Sequence, residues 1–177
     1  MKASENHNHE ITRISNLLRG ELYNTGYQYG FFWNGRRVVP DFTIGFDEVF
    51  GRLLTTEYRI QDPETTRKEK VGTCLDAVLV MKELLREAGK DGKIWMLFQK
   101  ERKKFHSVLT FEVDDEIVYL ELTPQSGKEN YGKELVFDRE DAFHQYWEEM
   151  NYTVQEITET CIPGIKPEFL LKQLSED

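Results

Sequence analysis

The sequence predicts an α+β fold in which a central, cysteine-bearing helix packs on an antiparallel β-sheet meander. Two observations carry this. Val71 to Gly89 reads as one long helix, and its middle, Ala77 to Met81, has no polar residue, so it is buried on more than one side. Directly after it the apolar period changes from helical to two, over KIWMLFQK, FHSVLTFEVD and EIVYLELTP. Short links between these runs favour antiparallel neighbours, and helices packed on such a sheet define the α+β class.

The bulk properties narrow the function. A chain of 177 residues suits one domain spanning 1–177, and no internal repeat or low-complexity linker divides it. A formal charge of -9 argues against a nucleic-acid backbone or an anionic membrane as the main partner. The opening residues lack the apolar core of a signal peptide, and no run is long enough to span a bilayer. Cys74 and Cys161 alone give no disulfide framework; two reduced thiols in a cytoplasmic protein is the simplest reading. The 4 histidines lack metal-like spacing, so neither a metal nor another cofactor is expected.

The elements follow in chain order. MKASENHNHE reads as a polar, frayed tail, and His7-Asn8-His9 within it as tail rather than a metal pair. Ile11, Ile14, Leu17, Leu18 and Leu22 recur at helical spacing and predict a helix from about Glu10 to Tyr23. Tyr29 to Val39 is β-rich around Asn34-Gly35, the strongest short hairpin signal. A helix is expected from Asp47 to about Thr56, followed by YRIQDPETTRKEK as a polar connection. Thr73 can cap the central helix, with Asp76 at the capping-box position and Gly89 ending it.

Three strands follow, Lys93 to Lys100, Phe105 to Asp114 and Glu116 to Pro124, with Leu135 to Phe137 as an edge strand. Asp138 is placed to cap a helix through Trp147, with Ala142, Phe143, Tyr146 and Trp147 on its inner side and His144 on its outer part. A strand near Tyr152 to Ile157 and a short helix after Pro167 close the chain.

The chemistry centres on Cys74. In the first turn of its helix, free backbone N–H groups and the helix dipole favour a thiolate. Acyl transfer by a thiolate needs a histidine to activate it and to protonate the leaving group. Only His106 lies in a predicted sheet strand, and the neighbouring strand offers Glu121 to orient its ring. If Asp114 and Asp115 form a two-residue hairpin loop, Val113 pairs with Glu116 and Val108 lies opposite Glu121. His106 and Glu121 then share one face as diagonal neighbours, about 7–8 Å apart at the backbone. A loop one residue longer would put them on opposite faces. The plainer readings are a core cysteine, a solvated strand histidine and an exposed carboxylate in ordinary alternation.

Gly72-x-Cys74-x-Asp76-Ala77, a histidine opening a strand, and Glu121 ahead of Thr123-Pro124 together resemble the transglutaminase-like superfamily, over about Tyr58 to Gln125. The resemblance implies a papain-like core and a triad with Cys74 as nucleophile, His106 as general base and acid, and Glu121 as orienting acid. Glu121 stands where the family usually has Asp. Ser107 and Val108 stand where an aromatic residue commonly follows the histidine. The expected activity is amide hydrolysis in a peptide or protein substrate. The Cys74 N–H would give one oxyanion donor, and Tyr58 and Gln61 are candidates for the second. Transfer to an amine would make a cross-linking enzyme instead; hydrolysis needs no second binding site and is preferred.

Two alternatives stand beside it. One is an inactive form of the same fold that binds a peptide or carbohydrate through its aromatic residues. The other is a small-molecule acyltransferase. The run QKERKKFH would offer a basic loop to an acidic substrate, though a solvated strand connection is the plainer reading. Cys161, with no histidine nearby in sequence, reads as structural.

Overall fold

A computed structural model describes residues 2–45, 47–125 and 127–168, with residues 2–7 as backbone alone. The helix expected after Pro167 falls on 169–177 and so lies outside the described residues, as does the side chain of His7.

Helix α1 spans Lys2–Leu22, so residues 2–10, expected as a frayed tail, are helical. Residues 2–10 contain no Gly or Pro to break a helix, and their polarity leaves no periodic signal. Ile11, Ile14, Leu18 and Leu22 form the buried stripe, whereas Leu17 is exposed. Strand β1 (Gln28–Tyr29) is followed by β2 (Phe31–Trp33) and β3 (Arg36–Val38). The last two pair around Asn34 and Gly35, both at positive φ, as a tight primed turn requires. Helix α2 (Glu48–Thr56) is capped by Asp47, whose carboxylate accepts from the Phe50 N–H at 2.9 Å.

The stretch expected as a polar connection carries helix α3, Pro63–Glu69. Asp62 caps it and Pro63 opens it, while Thr66 is its buried residue, so no apolar period announced it. Strand β4 (Val71–Gly72) then pairs parallel with β1, Tyr29 opposite Gly72. Helix α4 runs Cys74–Glu87 with Thr73 as N-cap. Gly89, at φ 74°, takes the left-handed position beyond its end.

Strands β5 (Gly92–Gln99), β6 (Lys104–Val113), β7 (Glu116–Leu120), β8 (Glu134–Phe137) and β9 (Thr153–Glu156) form one antiparallel sheet in the order β8-β7-β6-β5-β9. Helix α5 (Glu140–Glu148) precedes β9; its N-cap is Arg139, not Asp138, and no side-chain bond caps it. Asp114 and Asp115 both have positive φ, and Val113 pairs with Glu116, the register that sets His106 diagonal to Glu121. The third strand stops at Leu120 rather than Pro124. Glu121 instead bridges Tyr131 in parallel, and its side chain accepts from its own strand end at the Thr123 N–H, 2.9 Å. Such local bonds compete with a ladder.

The sheet carries an apolar cluster on each face. Ile94, Met96, Leu109, Phe111 and Val118 pack with α1 and α4, and Cys74 belongs to that cluster. Trp95, Leu97, Val108 and Tyr119 pack with Phe143 and Trp147 of α5. Each such side chain, fully buried, contributes about 1.5–3 kcal/mol of hydrophobic free energy. His144, expected on the outer part of its helix, packs edge-on against Trp95 with centroids 4.9 Å apart. Among the described residues no helix is long and apolar enough to cross a membrane.

Candidate active site

The site forms where three short stretches converge on the start of α4. Gly72 precedes it for a steric reason: a Cβ there would lie 3.0 Å from both Asp76 Cβ and Thr66 Cγ2. That close approach lets β4 deliver Thr73 and Cys74 directly into the helix. In the first turn the Cys74 N–H has no preceding helical carbonyl to bond, so it is a donor for an incoming oxygen.

His106 lies near the start of β6. From Lys104 to Leu109 this strand is laddered to β5, and its pairing with β7 begins only at Thr110. By alternation His106 and Glu121 belong with Val108 and Tyr119, toward α5, whereas Cys74 lies in the cluster on the other face. The imidazole meets the thiol beside the stretch of β6 that β7 does not cover. His106 Nε2 holds Glu121 Oε2 at 2.6 Å, and the Cys74 side chain lies close enough to raise the imidazole's pKa. Cys74, His106 and Glu121 are 5%, 6% and 2% exposed, so this chain of bonds is shielded from water.

Glu121 is held by three donors. Oε2 also accepts from the Tyr119 hydroxyl at 2.7 Å, and Oε1 accepts from the Thr123 N–H. Burial pushes its pKa up, but the charge and hydrogen bond of His106 outweigh that, and the carboxyl is held below its usual range. His106 shows the converse. Burial pulls it down, yet the Glu121 charge and the Cys74 hydrogen bond raise it to about 9. The pair is therefore a carboxylate and an imidazolium at neutral pH.

Beneath Cys74 lies a second buried carboxyl. Asp76 Oδ1 accepts from the Tyr58 hydroxyl at 2.8 Å and the Gln61 N–H at 2.7 Å, and Oδ2 accepts from the Thr73 N–H at 2.8 Å. Burial dominates, and its pKa is raised to about 7 despite those bonds. The same network corrects the expected second oxyanion donor. Gln61 gives both amide protons away, to Thr66 Oγ1 and the Val71 carbonyl. The Tyr58 hydroxyl is spent between Asp76 and Thr73. Neither has a proton left for a substrate oxygen.

Two hollows meet at Cys74. One, of about 380 Å³, is lined by His106, Lys103, Lys104 and Lys128 among others; the second, of about 260 Å³, by Leu54, Tyr58, Leu75 and Phe105 among others. Tyr29 lines both. Its phenol pKa is raised by burial and then by the nearby Cys74 and Asp76 charges, so it keeps its proton. Sequence reading had placed Tyr29 at the start of a hairpin; the two-residue bridge to β4 that brings it to the thiol has no periodic signature. Cys161 is a buried free thiol in the α4-side core, pushed up to about 12 by burial. Among the described residues no group of three His, Cys, Asp or Glu side chains could hold a metal ion. No family model matches the sequence, and no curated protein matches it either.

Proposed function

We propose that this chain is a thiol acyl-transfer enzyme on a transglutaminase-like, papain-like core, hydrolysing amide bonds in a peptide or protein. The single observation that carries the reading is the continuous buried path from Cys74 through His106 to Glu121, opening at Cys74 onto two hollows. A histidine that bonds a thiol on one side and an ionised carboxylate on the other is positioned for both proton transfers of acyl exchange. Two buried, unbonded thiols support a reducing, cytoplasmic setting.

In this reading Cys74 has given its proton to His106, and the thiolate attacks the amide carbon, forming a C–S bond. The oxygen gathers negative charge against the Cys74 N–H and the Tyr29 phenol, which takes the role that Tyr58 and Gln61 cannot. The C–N bond breaks as the imidazolium of His106 gives its Nδ1 proton to the leaving nitrogen. Water then attacks the thioester, losing its proton to His106; the C–S bond breaks, the acid departs, and the Cys74 thiolate and His106 imidazolium are restored. Glu121 keeps the ring oriented and stabilises its positive form throughout.

Alkylation by iodoacetamide tests the pair without a known substrate. At about pH 6, His106→Ala should slow modification of Cys74 at least tenfold, and the two proteins should converge above about pH 9, where wild-type His106 loses its proton. Equal rates throughout would overturn the enzyme reading and leave a peptide- or carbohydrate-binding module. Once a substrate is in hand, Tyr29→Phe should lower kcat by about 10²–10³-fold, the usual cost of one oxyanion donor.

A further inference from the structure

The two hollows at Cys74 differ in chemistry, and the difference assigns the two sides of the substrate. We infer that the site takes an acyl donor whose acyl side is apolar and whose amine side carries negative charge, such as a peptide with an acidic residue directly after the scissile bond. The inference rests on the acyl-transfer reading above and adds direction and specificity to it.

The direction comes from His106. The imidazolium must reach the leaving nitrogen to protonate it, so the amine side of the substrate has to lie in the hollow that His106 lines. His106 lines only the larger hollow; Leu54 and Phe105 line both, and the smaller adds Tyr58 and Leu75 around Cys74, with one charge of each sign, Lys166 and Glu168, in its wall. The carbonyl carbon sits at the sulfur between the two. Its acyl substituent therefore enters the smaller hollow, where apolar surface is removed from water.

The charge comes from the larger hollow's wall. Lys103, Lys104 and Lys128 line it, and among its described lining residues there is no Asp or Glu. This reverses the balance of the whole chain, which carries 32 acidic against 23 basic residues. Lys103 and Lys104 sit where the β5–β6 connection enters β6, three and two residues before His106, and both are exposed at the mouth. Lys103 is held at φ 46°, so the turn has a defined shape at this point. Cationic groups at the mouth of a partly enclosed hollow attract anions and repel cations, more so at low ionic strength. The basic connection is thus a selector beside the leaving-group position.

The test separates this inference from the reading beneath it. Rates of Cys74 alkylation by iodoacetate and by iodoacetamide are each divided by the reagent's rate with a free small thiol. At about 20 mM salt the normalised iodoacetate rate should exceed the iodoacetamide rate about fivefold or more, and at about 0.5 M salt the excess should shrink toward unity. In Lys103→Glu/Lys104→Glu, both exposed positions, the preference should reverse. In internally quenched peptides, a Phe-Glu bond should be cut with a kcat/KM at least tenfold above that of a Phe-Lys bond. If iodoacetamide modification depends on His106 but iodoacetate shows no excess and the double variant changes nothing, the specificity is wrong while the enzyme reading stands. If neither reagent's rate depends on His106, both fall together.

Discussion

Glu121 and Asp76 are two buried carboxyls on either side of the same cysteine helix start, and each accepts three hydrogen bonds. Glu121 takes His106 Nε2, the Tyr119 hydroxyl and the Thr123 N–H. Asp76 takes the Tyr58 hydroxyl and the N–H groups of Gln61 and Thr73. Burial is the largest influence on both, pushing each pKa up. Yet Glu121 ends below its usual range while Asp76 rises to about 7. The difference is that one of Glu121's three partners is a cation. Neutral donors offset part of a carboxylate's lost hydration; an adjacent positive charge is what keeps it ionised.

Removing the cation should have the largest effect. His106→Ala leaves Glu121 buried with neutral donors only, and should destabilise the fold by about 3–5 kcal/mol in urea unfolding near pH 7. A loss below about 1 kcal/mol would mean that Glu121 does not depend on the imidazolium. Next, Glu121→Gln removes the charge from the other side. The His106 titration, followed by NMR of its ring, should fall well below about 9, since burial would then be opposed by Cys74 alone. Stability near neutral pH should drop by about 1.5–3 kcal/mol, the range for a hydrogen bond to a charged group.

Asp76→Asn probes the carboxyl without a cationic partner and should cost less, about 0.5–2 kcal/mol, because its amide nitrogen would face an N–H donor at the helix cap. The pH dependence carries the sharper signature. Asp76 is raised from 3.8 to about 7 on folding, so its contribution is complete below about pH 3.8 and lost as pH rises through about 7. His106 has the same sign, complete below 6.5 and lost through about 9. Glu121 has the opposite sign, with stability present above 4.5 and lost as pH falls through its lowered folded value. The wild type should therefore lose stability between about pH 4 and 7, and Asp76→Asn should flatten that segment alone. An unchanged slope would place Asp76 in the same ionised state as Glu121. The smallest effect belongs to Tyr119→Phe, which removes one neutral donor from Glu121 and should cost about 0.5–1.5 kcal/mol with little movement of the His106 titration.

Much of this geometry is legible along the chain. The capping residues Thr73 and Asp76 place Cys74 in a first turn, and the apolar run through Met81 marks α4 as the buried helix. Asp114-Asp115 fixes a two-residue turn, and with a side-chain period of two that turn alone decides that His106 and Glu121 share a face. Helix α3 escapes because Asp62 and Pro63 start it without any apolar repeat behind them. The extension of α1 to Lys2 escapes for the same reason.

By itself the sequence determined the α+β pattern of elements, the cysteine at a helix start and the His106–Glu121 register, since all three follow from local period, capping and turn length. Tertiary structure alone decided the rest. It brought Tyr29 to the thiol through a two-residue parallel bridge and spent the protons of Gln61 and Tyr58 on Asp76 and its surroundings. It kept one buried carboxyl ionised and raised the other to titrate near pH 7, and it set lysines in the wall of the hollow that His106 lines. These outcomes depend on which groups from distant segments become neighbours in a water-poor interior. There a single adjacent charge or a committed proton outweighs any preference that the residue carries along the chain.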